Sequence, residues 1–210
     1  VQYCGKDNLR QQSAIWQAML LAADLPTTTN IIINGFIQSG GQKMSKSIGN
    51  VISPFDIIET FKEFTDYPED VLRFVLLHDI SSFEDGDITL ESIKESYQAY
   101  LANGIGNLTS RVMKNEERRT IQINDFDTNA SLKSVMSEMH KLDEYIATNE
   151  PFKVIKTDSA KGKEMIEHCL IALENIVENL SIFMPKTSAK ILECIHENKM
   201  PEKPLFGRLA

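Results

Sequence analysis

From Ser53 onward, apolar residues recur every three or four positions almost without a break, a period that admits amphipathic helices and little else. Ser53-Pro54 reads as an N-cap followed by a first-turn proline and opens a helix through Phe61; Pro68 opens another carrying Val71, Leu72, Val75 and Leu76. Thr89 can cap a long helix toward Lys114 with the stripe Leu90, Ile93, Tyr97, Leu101, Ile105, Leu108 and Val112. Further helices are expected at about 130–148 (Leu132, Val135, Met136, Met139, Leu142, Ile146), at 161–184 (Met165, Cys169, Leu173, Ile176, Leu180, Phe183) and at 186–197. Four such helices with short connections make a bundle. The Gly207 end is expected to be a tail.

The first fifty residues follow another rule. Val1-Gln2-Tyr3-Cys4 begins without a methionine, as though a strand had been entered in progress, and residues 8–23 read as a helix with Leu9, Ile15, Trp16, Met19 and Leu20 on its apolar face. Trp16 is expected in the core. Pro26 and a threonine run end the helix, and Ile31-Ile32-Ile33, β-branched and bounded by turn residues, is expected to be a buried parallel strand. Strand, helix, strand is half of a doubly wound nucleotide fold, in which ligands gather outside the carboxyl ends of the strands. Two polar segments, Gly5-Lys6-Asp7 and Gly40 to Asn50, follow those strands.

The second segment, Gly40-Gly41-Gln42-Lys43-Met44-Ser45-Lys46-Ser47-Ile48-Gly49-Asn50, sets two lysines three apart in a short loop with glycines on both sides. Glycine permits close backbone approach and movement, two cations suit phosphate oxygens, and Ser45 and Ser47 add donors. This reads as a mobile polyphosphate clamp; a solvated charged loop is the plainer reading of the same residues. Asp7 can cap the helix that follows it or accept from ribose hydroxyls. Asn107 and Arg111, four apart, lie one above the other, with Tyr100, Asn103 and Lys114 extending the face. By spacing alone that stripe is solvated surface.

Lys43-Met44-Ser45-Lys46-Ser47 is the second signature of class I aminoacyl-tRNA synthetases, and the resemblance continues along the chain. Val51-Ile52-Ser53-Pro54-Phe55, Asp70-Val71-Leu72-Arg73-Phe74, Glu84-Asp85-Gly86-Asp87 and Gly106-Asn107-Leu108-Thr109-Ser110-Arg111, in that order, resemble the methionyl-tRNA synthetase family, as do Gly5-Lys6-Asp7 and Trp16 upstream. The resemblance implies a mainly α chain in three parts. Residues 1–52 would be the C-terminal piece of a Rossmann-type α/β catalytic domain, 53–88 a helical linker, and 89–210 an α-helical anticodon-binding bundle. The His-x-Gly-His signature is absent, so the chain is expected to be the C-terminal portion of a methionine-tRNA ligase and inactive alone. Fragments of the isoleucine, valine, leucine or cysteine enzymes, a non-catalytic tRNA-binding module and a helical interaction protein are the alternatives.

The resemblance also implies roles. Lys43 and Lys46 would be the catalytic pair, Lys46 meeting the ATP phosphates as pyrophosphate leaves and Lys43 supporting the loop. Asp7, Ser45 and Ser47 would join them around ATP, which brings its Mg2+; no protein-bound metal is expected. Asn107, Arg111 and Phe152 would read the anticodon of a methionine tRNA, whose stem the linker contacts, since Asn and Arg suit splayed bases and an aromatic ring stacks on them. Two departures stand out: Gln11 and Gln12 occupy positions where the family has an aromatic and a histidine, and Pro151-Phe152 replaces proline-tryptophan.

The net charge of −8 argues against a nucleic-acid binder until its distribution is counted. Residues 1–50 carry four basic and two acidic residues, residues 51–100 three and twelve, and the remainder fifteen and sixteen. The acidity therefore sits between the two ends that would handle nucleotides. No apolar run approaches a membrane span, so a cytoplasmic protein is expected. Three scattered cysteines, with Cys169 on an apolar stripe, give neither a disulfide framework nor a zinc site. The four histidines have no metal spacing and are assigned no role.

Overall fold

The computed structural model describes residues 1–112 and 127–209, so Lys114 lies outside the described residues. The chain opens with strand β1 (Gln2–Gly5), a 3-10 turn (Lys6–Asn8), a π turn (Gln11–Ile15) and helix α1 (Trp16–Ala22). Strand β2 (Ile31–Asn34) then pairs parallel with β1, in register from Gln2 opposite Ile31 to Gly5 opposite Asn34. The strand-helix-strand expectation is met, with one change in depth. Ile32 is buried, but Ile31 and Ile33 are only half-buried, and Trp16 is 41% exposed rather than in the core. Among the described residues this sheet has two strands, too narrow to cover the apolar face of α1.

The lysine segment is not a plain loop after β2. A hairpin intervenes, β3 (Ile37–Ser39) antiparallel to β4 (Gln42–Lys43), turning on Gly40-Gly41 with φ of +63° and +72°. A two-residue turn with both φ positive matches the twist of the strands it joins, and glycine takes it without steric cost. Strand β5 (Gly86–Asp87) lies parallel to β3 on its other side, giving the order β4-β3-β5.

From Pro54 the chain is helical, as its period requires. Helices α2 (Pro54–Phe61) and α3 (Pro68–His78) open on the expected prolines, and the Ser53 side chain accepts from the Phe55 amide at 3.2 Å. Thr89 and Ser92 close a reciprocal capping box on α4 (Leu90–Ser96), which continues through a π stretch (Tyr97–Gly106) into α5 (Asn107–Val112). Helices α6 (Thr128–Asn149), α7 (Pro151–Thr157), α8 (Ser159–Leu180) and α9 (Pro185–Glu197) follow; α7 was not anticipated. The expected stripes of α6 and of the Thr89 helix are buried, Leu90 excepted, and Cys169 packs in the core with its thiol pushed up to about 11 by burial.

The expected tail at Gly207 is instead part of the interior. Leu205 and Phe206 are 4% and 3% exposed, the Phe206 ring meets Tyr97 edge-on at 6.0 Å, and Tyr97 Oη donates to the Gly207 carbonyl at 2.8 Å. One apolar core runs from Ile57 to Phe206, so residues 53–88 share their interior with the bundle.

Polar side chains finish the helix ends inside that core. Asp70, buried on α3, accepts from the Thr187 amide at 2.6 Å and supplies a cap that α9 lacks from its own sequence. One turn on, Arg73 donates to the Phe183 and Ile182 carbonyls at 2.7 and 2.8 Å, just past the end of α8. Asn129 donates to the carbonyls of Leu77, His78 and Ile80, closing α3. Asp70→Ala is expected to lower the unfolding free energy by about 1–3 kcal/mol in a urea titration, because it orphans a buried donor. Asp70→Asn, which keeps an acceptor, should cost less.

Candidate functional site

Beyond β4 the chain turns tightly at residues 46–49 and is held at its own ends. Asn50 accepts from the Ser45 amide at 2.8 Å and donates to the Lys43 carbonyl at 3.3 Å, while the Ile48 and Gly49 amides return to the Ser45 carbonyl. Ser45 and Ser47 share a hydroxyl hydrogen bond of 2.7 Å, and Met44 packs against the core. Lys46 projects from the exposed turn with no hydrogen bond or ion pair among the described residues. Its ammonium is therefore available to an anion.

Lys43 is placed differently, in strand β4, with its ammonium 4.4 Å from the centroid of the Phe36 ring. Lys6, at the end of β1, lies 4.5 Å from the centroid of that same ring. A cation over an aromatic face is attracted by the ring quadrupole. Phe36 thus brings together the two polar segments that the sequence placed at the carboxyl ends of the strands. Lys6 also bonds both carboxylate oxygens of Asp85 at 2.5 Å, and Asp85 accepts from the Phe36 amide at 2.8 Å. The Lys6 hydrogen bond, then that of the Phe36 amide, holds the Asp85 carboxyl below its ordinary range. Asp87 accepts from the Gly41 amide at 3.0 Å.

Asp7 does not cap the following turn. Gly5 occupies the cap position without a side-chain bond, and among the described residues the exposed Asp7 carboxylate accepts only from Asn8, at 3.3 Å. It remains free to accept from a ligand. Gln11 is exposed, and Gln12 is engaged through its carbonyl by Gln17 at 2.8 Å.

The second set of residues lies on the π stretch, α5 and α7. The wider π turns break the even stripe that a 3.6-residue period lays out. Tyr100 turns toward α3, its ring 4.4 Å from His78, and with Asn103, Gly104, His140 and Asp143 it lines a groove of about 260 Å³ against α6. Asn107 is exposed, while Arg111, half-buried, is ion-paired with Asp143 on α6. The sequence reading missed that partner, for which a distant acid gives no local signal. Phe152, second residue of α7, is 37% exposed. Among the described residues no hydrogen bond, ion pair or ring contact joins it to Asn107 or Arg111, and no group of three His, Cys, Asp or Glu side chains could hold a metal ion. No helix among them is long and apolar enough to cross a membrane.

Comparison with known proteins follows the same segments. The family model described as tRNA synthetases class I (M) matches residues 1–113. A methionine-tRNA ligase of Streptomyces coelicolor is 30% identical over 246 residues, covering 100% of this chain and 43% of that protein. The ligase of Rhizobium meliloti is 28% identical over 220 residues, covering 91% of this chain and 42% of its own. The chain thus spans less than half the length of these relatives. Among solved structures, Mycobacterium tuberculosis methionyl-tRNA synthetase in complex with methionyl-adenylate superposes with a TM-score of 0.80 at 21% identity, over 96% of this chain and 45% of that one. At that identity the likeness is one of fold.

Proposed function

The chain belongs to the class I (M) tRNA synthetases, and from that premise we propose that it forms the lysine-loop and anticodon-reading part of a methionine-tRNA ligase. The observation that carries this reading is the family match over residues 1–113, a range that takes in the lysine turn and the helix bearing Asn107 and Arg111 alike. The complete reaction joins methionine to ATP as an adenylate with loss of pyrophosphate, then passes the methionyl group to tRNA.

Each part of the chain has its own task in that reaction. Residues 1–52 end a Rossmann-type catalytic domain, 53–88 link it, and 89–210 form the anticodon-binding bundle. The methionine carboxylate attacks the α-phosphorus and the bond to pyrophosphate breaks, so negative charge grows on the departing oxygens. Lys46, unpaired on its exposed turn, meets that charge, with Ser45 and Ser47 as further donors. Lys43, set against Phe36, holds the base of the turn in place. Asp7 accepts from the ribose hydroxyls. Mg2+ brought in with the nucleotide would supply screening of the phosphate charge.

Asn107, Arg111 and Phe152 read the anticodon. Asn107 and Arg111 offer donors to base edges, and Phe152 offers a stacking face. Asp143 holds the Arg111 guanidinium ready, and its partly exposed carboxylate is left hydrated if the arginine swings to a base. Arg111→Ala should weaken binding of a tRNA with a CAU anticodon by roughly 1–3 kcal/mol, and Phe152→Ala by a similar amount. Filter binding against a tRNA with an altered anticodon decides the matter. Both variants should lose little further there, because the contacts they remove are already unmade. Equal losses on the two tRNAs would leave this face with general electrostatics alone.

A further inference from the structure

Glu84-Asp85-Gly86-Asp87 has no role in the reaction as described, yet it touches the lysine hairpin at every level. Gly86 donates to the Phe36 carbonyl at 2.9 Å and Ile88 to that of Gln38 at 3.0 Å, so the segment adds a strand to the hairpin. Gly35 lies so close to it that a Cβ there would come within 2.1 Å of the Glu84 carbonyl group. Asp87 takes the Gly41 amide in the turn, and Asp85 takes the Phe36 amide and the Lys6 ammonium. The turn amide, the residue whose ring lies under Lys43 and the neighbouring cation are therefore all held by two carboxylates of one short segment, Asp85 just before β5 and Asp87 within it.

We propose that Asp85 and Asp87 are positioning residues for the lysine loop: they lock the hairpin in one orientation and so set where Lys43, and Lys46 beyond it, meet the phosphates. The inference rests on the reading of Lys46 as a phosphate contact. Neither carboxylate is deeply buried, and an ion pair with solvent access, such as Lys6 with Asp85, contributes little to stability. What the pair supplies is aim. Between Gly41, which Asp87 holds, and Lys46 lie the two-residue strand β4 and then Met44 and Ser45, with Asn50 tying Lys43 and Ser45, so a displaced hairpin carries the lysine with it.

The test compares Asp87→Ala and Asp87→Asn in the complete ligase, each with and without Lys46→Ala. Asp87→Ala should lower kcat for adenylate formation roughly 10- to 100-fold with the methionine KM little changed, the scale expected when a positioned group is misplaced. Asp87→Asn, whose amide oxygen still accepts from Gly41, should recover most of that rate. In the Lys46→Ala background Asp87→Ala should cost less than about twofold more, because residues acting as a unit are not additive. In this chain by itself, hydrogen exchange of the Gly41 amide should quicken about tenfold in Asp87→Ala and stay unchanged in Lys46→Ala. A slow Lys46→Ala enzyme beside a normal Asp87→Ala enzyme overturns the positioning role, as do fully multiplicative rates or an asparagine variant as slow as the alanine one. A normal Lys46→Ala enzyme instead removes the premise, and unaltered Gly41 exchange overturns the role whatever the rates.

Discussion

Lys46→Ala in the complete ligase is expected to slow adenylate formation on the order of 10²–10³-fold, the usual loss when one preorganised donor is removed from a site of developing charge. Several features converge on Lys46 rather than on the loop at large. It is exposed, no acid among the described residues neutralises it, and its turn is closed by Asn50 and the Ser45 carbonyl, so little ordering is left for the moment of reaction. Lys43 is already engaged with the Phe36 ring, and its removal should act more through loop position than through lost charge. Pre-steady-state pyrophosphate release, followed with saturating methionine, measures the step directly. Binding of a CAU-anticodon tRNA should be unaltered, which separates a site effect from a folding one. A rate within about twofold of the parent enzyme would reduce Lys46 to loop surface.

Phe206→Ala is expected to cost about 3–5 kcal/mol of stability, the range for deleting a buried aromatic ring. The ring is 3% exposed, lies against Tyr97, and sits close enough to Gly106 that a Cβ there would be 3.5 Å from it. The backbone around it is tied as well: Thr65 Oγ1 donates to the Leu205 carbonyl at 2.6 Å, the Gly207 amide to that of Phe64 at 2.6 Å, and the Leu209 amide to Gln98 at 3.0 Å. Lys203→Ala is the control, since its ion pair with Asp66 is exposed to solvent and should contribute little to stability. Urea midpoints that move no further for Phe206→Ala than for Lys203→Ala would return residues 205–209 to the status of a loose tail.

That segment also marks where sequence ceased to suffice. Leu205-Phe206 is a lone apolar pair between Pro204 and Gly207, with no period to announce it, and only its fit against Tyr97 makes it core. The stripe from Ile93 to Val112 was legible because six residues recur every three or four positions, although the π stretch within it, which turns Tyr100 toward His78, leaves no such trace. Strands β3, β4 and β5 are two or three residues long, below the length at which alternation can be read. Short motifs gave the candidate site residues, and the helix stripe gave Asn107 and Arg111 a common face. Their partners came from elsewhere in the chain: Phe36 for Lys43, Asp85 for Lys6 and Asp143 for Arg111. An apolar face on α1 was legible too, but periodicity says which residues seek cover and not how wide the neighbouring sheet is.

Strand β5 bears on how the molecule can be divided. It lies among helices in sequence yet forms the outer rail of the hairpin, so a cut between residues 53 and 88 would strip β3 of a neighbour and expose the amides and carbonyls now shared with Gly86 and Ile88. A bare strand edge recruits other chains. A recombinant piece ending in the linker should therefore aggregate through β3, whereas one carried past Thr89 keeps that edge sealed and the hairpin soluble.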